Sequence, residues 1–177
     1  MKIIIISIAT CIALLGTASA GAGSFDGFYI GAKAGGNSSK KSDTSSSTTS
    51  NSAYFGGEAG YNWVSSENIL KSQGMMERDI LVIGVDLWAD DHTESVTGRD
   101  YGADFKLGAV QDNNILYYLK LGIAGSNPGT RAHYGLGIEY IFTPHWGTLV
   151  EWTEDKNTKN GETLQNDDYV IGVSYHF

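Results

Sequence analysis

"DDYVIGVSYHF", residues 167–177, alternates between two kinds of side chain. Counting back from Phe177, the residues Tyr175, Val173, Ile171 and Tyr169 are apolar, while His176, Ser174, Gly172, Val170 and Asp168 between them are mostly small or polar. Period-two alternation predicts a β-strand with one apolar face and one mixed face. Soluble strands alternate as well, so the solvent that meets the apolar face has to be settled by the rest of the chain.

Seven further stretches share the pattern, roughly 26–36, 53–63, 79–89, 100–110, 115–125, 132–142 and 146–155. Each has about the 9–11 residues that a tilted strand needs to cross a bilayer. One face carries Phe28, Ile30, Phe55, Tyr61, Ile83, Val85, Leu87, Phe105, Leu119, Leu121, Ile123, Leu136, Ile138 and Val150. The other carries Lys33, Glu58, Asp86, Asp104, Lys106, Lys120, Glu139 and Glu151, padded with glycine. So many large apolar side chains would overfill a small soluble barrel, whereas glycine-padded charges suit a narrow polar lumen. The expected fold is therefore all-β, an eight-stranded antiparallel up-and-down transmembrane β-barrel with its apolar face in lipid.

The segment "MKIIIISIATCIALLGTASA" at 1–20 has one lysine, a short apolar run and an Ala-Ser-Ala end, the signature of a secretory signal peptide. The expected division is a signal at 1–20 and a barrel domain at 21–177. The single cysteine, Cys11, falls inside the signal, which leaves no disulfide or cysteine-built metal site in the barrel. The formal net charge of −8 becomes more negative once Lys2 is removed, which argues against a nucleic-acid partner.

The connections differ in kind. The segments 111–114 ("QDNN") and 143–145 ("TPH") are tight, whereas 37–52, 90–99, 126–131 and 156–166 are polar. The stretch "NSSKKSDTSSSTTSNS" at 37–52 is low in complexity and is expected to be a mobile loop. Segment 64–78 is long for a turn at its end of the barrel and has no evident role. Aromatic residues gather in two belts, as amphipathic rings do at headgroup level. Trp63, Tyr117, Tyr140, Phe142, Trp146, Tyr175 and Phe177 are expected at one rim, and Trp88, Tyr101, Tyr134, Trp152 and Tyr169 at the other.

"FDGFYIGAKAGG" at 25–36, "FGGEAGYNW" at 55–63, "YGLGIEYIFTPHWGTLVEW" at 134–152 and "YVIGVSYHF" at 169–177 resemble the small OmpA-like outer-membrane β-barrels, the opacity-protein or "porin family" group. The resemblance covers nearly all of the chain after the signal. It implies the outer membrane of a Gram-negative bacterium, with both termini periplasmic and a bilayer and lipopolysaccharide around the wall. It also implies that the terminal Phe177 is the signal read by the barrel-assembly machinery, and that host-surface molecules are candidate partners.

Catalysis is not expected. His92, His133, His145 and His176 are scattered, and none shows the His-x-Ser spacing that resembles lipid A deacylases. They also lack helical or turn-type ligand spacing, so neither a metal nor a cofactor is expected. The lumen charges are expected to pair in a salt-bridge network, because unpaired charges would be costly in so narrow a space. Two functions stay open. One is a plugged structural barrel displaying polar loops for host or ligand interaction. The other is a narrow cation-leaning pore, the charges serving as a gate, or a small-molecule transport barrel.

Overall fold

The computed structural model describes residues 22–43, 46–65, 80–92, 99–126, 129–159 and 162–177. After a short 3-10 helix at Ala22–Phe25 come eight strands: β1 (Gly27–Ser42), β2 (Ser47–Val64), β3 (Ile80–His92), β4 (Arg99–Gln111), β5 (Ile115–Ser126), β6 (Gly129–Ile141), β7 (Trp146–Lys159) and β8 (Glu162–His176). Each pairs antiparallel with its sequence neighbour, and β8 pairs with β1 to close the barrel. Closure leaves no open sheet edge around the wall, the condition for an all-strand structure to sit in hydrocarbon. The expected fold class is the one observed.

Alternation sorts the residues as the apolar pattern requires. Phe28, Leu87, Tyr101, Leu121, Ile123, Leu136 and Val150 stand on the outside, while Lys33, Glu58, Asp86, Asp104, Lys106, Lys120, Glu139 and Glu151 are all buried inside. Of the aromatic belts, Trp63, Tyr101, Tyr117 and Trp146 are exposed and Tyr140, Trp152 and Tyr175 half-buried. Phe177 is exposed at the rim, where its amide donates to the Phe28 carbonyl oxygen and its ring meets Tyr175 edge-on. Trp88 does not belong to a belt. It follows outward-facing Leu87, so the period of two turns it into the barrel, where it is only 7 % exposed and its ring lies 4.6 Å from that of His133.

The second correction concerns 37–52. Asn37–Ser42 and Ser47–Ser52 are strand, paired residue for residue from Asn37↔Ser52 to Ser42↔Ser47, and β1 also pairs with β8 as far as Ser42↔Thr163. Strand pairing joins backbone groups, so a run of Ser, Thr and Asn can extend a ladder that its neighbours have begun without burying apolar area. Likewise β7 and β8 stay paired out to Lys159↔Glu162. The four strands β7, β8, β1 and β2 thus form a polar extension of the barrel wall at the end away from the termini. Segment 64–78 lies outside the described residues beyond Ser65.

The tight connections are as expected. Asp112 and Asn113 adopt φ of 52° and 66° between β4 and β5, and Asx residues tolerate this left-handed region best after glycine. Thr143 Oγ1 accepts the Trp146 amide at 2.9 Å to close the turn into β7. At this same end an apolar cluster fills the interior. Phe25 enters from the 3-10 helix and packs with Ile80, Val82, Val110, Leu116, Tyr118 and Ile141.

Candidate functional site

Inward positions repeat every second residue, so each strand contributes a ladder of side chains to successive levels of the lumen. On β3 the ladder is Asp86, Trp88, Asp90, His92; on β4 it is Asp100, Asp104, Lys106; on β6 it is Arg131, His133, Glu139. Four polar levels result.

Nearest the apolar cluster, Glu139 accepts a hydrogen bond from Ser174 Oγ, and His176 Nε2 lies 2.8 Å from the same carboxylate oxygen. Serine and histidine both meet the carboxylate rather than each other, so the trio is not a nucleophile with its base.

The next level holds three lysines and three carboxylates. Lys33 Nζ reaches Glu58 at 3.0 Å and Glu151 at 2.7 Å. Lys120 Nζ reaches Glu58, Asp86 and Glu151 at 2.7, 3.0 and 2.8 Å. Lys106 Nζ lies 3.5 Å from Asp86 and 4.2 Å above the Tyr29 ring. Tyr118 donates to Glu151 at 2.9 Å, and Tyr29 donates to Asp86. Charges balance within this level, three ammonium groups against three carboxylates, and close opposite charges offset much of the cost of burying each of them. Glycine makes room for it: a Cβ on Gly137 would run into the Tyr118 ring.

Above it, Asp104 pairs with His133 at 2.7 Å rather than with a lysine. At the mouth away from the termini, Arg131 bridges Asp100 and Asp155, and Asn166 donates to both oxygens of Asp155 at 3.2 Å. Asn37 donates to Asp168 at 2.7 Å. His92 Nε2 faces Asp90 at 3.4 Å and Asp168 at 3.7 Å.

Of the eight charges singled out in sequence, the lumen thus brings six together. Asp104 and Glu139 sit on other levels with histidine partners. The mouth group of Asp90, His92, Asp100, Arg131, Asp155 and Asp168 was not singled out. Its one local signal is Asp-x-His at 90–92, two inward positions in succession on a strand. The cross-strand register that places Asp100 opposite Asp90 cannot be read from sequence alone.

The profile of a family described as outer membrane protein beta-barrel domain matches residues 7–177. No curated protein matches the chain in sequence. Among solved structures, the chain is similar to Neisserial surface protein A at 17 % identity and a TM-score of 0.48, covering 86 % of this chain and 98 % of that one. The N-terminal β-barrel domain of Pseudomonas aeruginosa OprF is similar at 16 % identity and a TM-score of 0.48, covering 84 % and 97 %. The attachment invasion locus protein Ail of Yersinia pestis gives 14 % identity and 0.44, covering 86 % and 99 %.

Proposed function

The chain belongs to the outer membrane protein β-barrel domain family, and from that premise we propose that it is a non-enzymatic surface scaffold whose interior is closed and whose polar extension meets host or ligand molecules. It is an integral barrel of the Gram-negative outer membrane. The observation that carries the closed-interior reading is the level of Lys33, Lys106 and Lys120 locked among Glu58, Asp86 and Glu151, above an apolar cluster headed by Phe25. Side chains packed across a barrel of eight strands leave little room for an aqueous pathway. With residues 1–20 removed as a signal, both termini lie in the periplasm, which directs the strand extension of β7, β8, β1 and β2 outward. Phe177 serves the assembly machinery and the outer wall meets lipid and lipopolysaccharide.

The narrow cation-leaning pore remains the second function, favoured by the carboxylate-rich mouth. Planar-bilayer recordings separate the two. A scaffold gives rare, small openings, and binding in a screen of host-surface molecules is lost when the extension is shortened. Sustained, cation-selective unit conductance from the purified protein would overturn the closed-interior reading.

A further inference from the structure

We infer that the barrel mouth is a binding site for a divalent transition-metal ion of the zinc type, held by Asp90, His92 and Asp100. One ligand atom from each of the three lies within 4.8 Å of the others, and all three side chains are buried. The placement follows from strand geometry. Asp90 and His92 occupy consecutive inward positions on β3, and Asp100 on β4 is directly opposite Asp90. Two carboxylates directly opposite across a ladder repel each other, and Arg131, which already bridges Asp100 and Asp155, offsets that repulsion only in part.

His92 is the independent observation. It is only 3 % exposed, and neither ring nitrogen has a hydrogen-bond partner among the described residues. Its Nε2 points at Asp90 Oδ1 and Asp168 Oδ1, and Asp90 Oδ1 likewise lacks a hydrogen bond. Leaving an imidazole and a carboxylate oxygen buried without partners is costly, whereas a metal ion satisfies both at once. The separation of 3.4 Å between His92 Nε2 and Asp90 Oδ1 is close to the edge of a tetrahedron with bonds of about 2.0 Å.

The electrostatic balance points the same way. The lysine level is neutral, but at the mouth, among the described residues, the carboxylates of Asp90, Asp100, Asp155 and Asp168 face one guanidinium, that of Arg131. His133 is engaged by Asp104 one level down, and Tyr54 brings only a phenol near His92, its ring 5.3 Å away. A divalent cation offsets most of this excess. One imidazole with two carboxylates selects zinc-type ions over calcium and magnesium, which favour all-oxygen shells. Asp168, already held by Asn37, lies 3.7 Å from the same His92 Nε2, so a second carboxylate faces the side on which the ion would sit.

The untagged barrel, refolded in detergent, is titrated with Zn2+ by calorimetry and with Co2+ by visible absorption. One ion per barrel is expected, with a cobalt spectrum of low coordination number and mixed nitrogen and oxygen ligands. His92→Ala and Asp90→Asn each remove a ligand and weaken binding by at least the roughly 10–100-fold that loss of an outer-shell partner costs, while His145→Ala, at the turn on the far end of the barrel, does not. Heat modifiability of each variant on gels establishes that it folds. Should His92→Ala fail to fold, His92→Gln and the wild-type cobalt spectrum decide. Absence of saturable Zn2+ binding, or binding that survives both mouth substitutions, or equal loss in His145→Ala, overturns the site.

Discussion

Leu121 and Gly122 are neighbours on β5 that face opposite solvents, and each tolerates little change for a different reason. Leu121 is 56 % exposed on the outer wall, near the middle of its strand. Arginine there must bring its charge into hydrocarbon, so Leu121→Arg should destabilise the barrel by about 2–4 kcal/mol. The same arginine at Tyr117, one rim higher in polarity on the same face, should cost about 0–1 kcal/mol. Urea titration in lipid vesicles measures both, and equal losses at the two positions would show that the outer wall does not face lipid. Gly122 is no neutral control for this experiment, although it faces the lumen. Its backbone runs so close to β4 that a Cβ would collide with the Ala103 carbonyl oxygen and the Asp104 side chain. The need for glycine here is steric, a consequence of neighbouring-strand register that no local pattern announces.

Strand pairing outruns side-chain alternation in the β1–β2 hairpin. The eight alternating stretches were legible because each must present a continuous apolar face to lipid, which forces a period of two into the sequence. Above the lipid that pressure vanishes, and Asn37–Ser42 and Ser47–Ser52 read as low-complexity loop although they pair residue for residue across the hairpin. Trp88 shows the opposite failure, since assigning it by residue type rather than by its place after Leu87 puts it on the wrong face. The mouth group escaped for a third reason: its members come from different strands, and their meeting depends on register. The hairpin itself should be removable if register is kept. Deleting residues 40–49 takes equal lengths from both strands, because Lys40 pairs with Thr49, and an Asn-Gly turn can rejoin the ends. That variant should keep heat modifiability and its urea midpoint in vesicles. Deleting Ala34 alone should not, because a one-residue slip in the middle of β1 puts the inward residues on one side of the deletion out of step with β2 and β8. Trypsin should cut slowly after Lys40 and Lys41 in the intact protein, since both lie in a strand paired on either side.

Across the whole molecule the interior changes character from end to end: an apolar cluster at the termini, a neutral ionic level in the middle, a carboxylate-rich mouth beyond. The middle level couples the wall, since Lys33, Glu58, Asp86, Lys106, Lys120 and Glu151 come from six different strands, β1 through β5 and β7. Lys120 is its hub, with three carboxylates within 3.0 Å. Removing it by Lys120→Met leaves three buried carboxylates facing two lysines, and breaking a buried ionic group this way costs about 3–5 kcal/mol. Removing Glu58 as well restores the balance, because Lys33 keeps Glu151 at 2.7 Å and Lys106 keeps Asp86 at 3.5 Å. Lys120→Met with Glu58→Gln should therefore be more stable than Lys120→Met alone, despite carrying one more substitution. Urea unfolding of the two variants in vesicles tests this directly. If the losses simply add, the six residues are independent ion pairs, and the middle of the barrel is not held shut by a shared network.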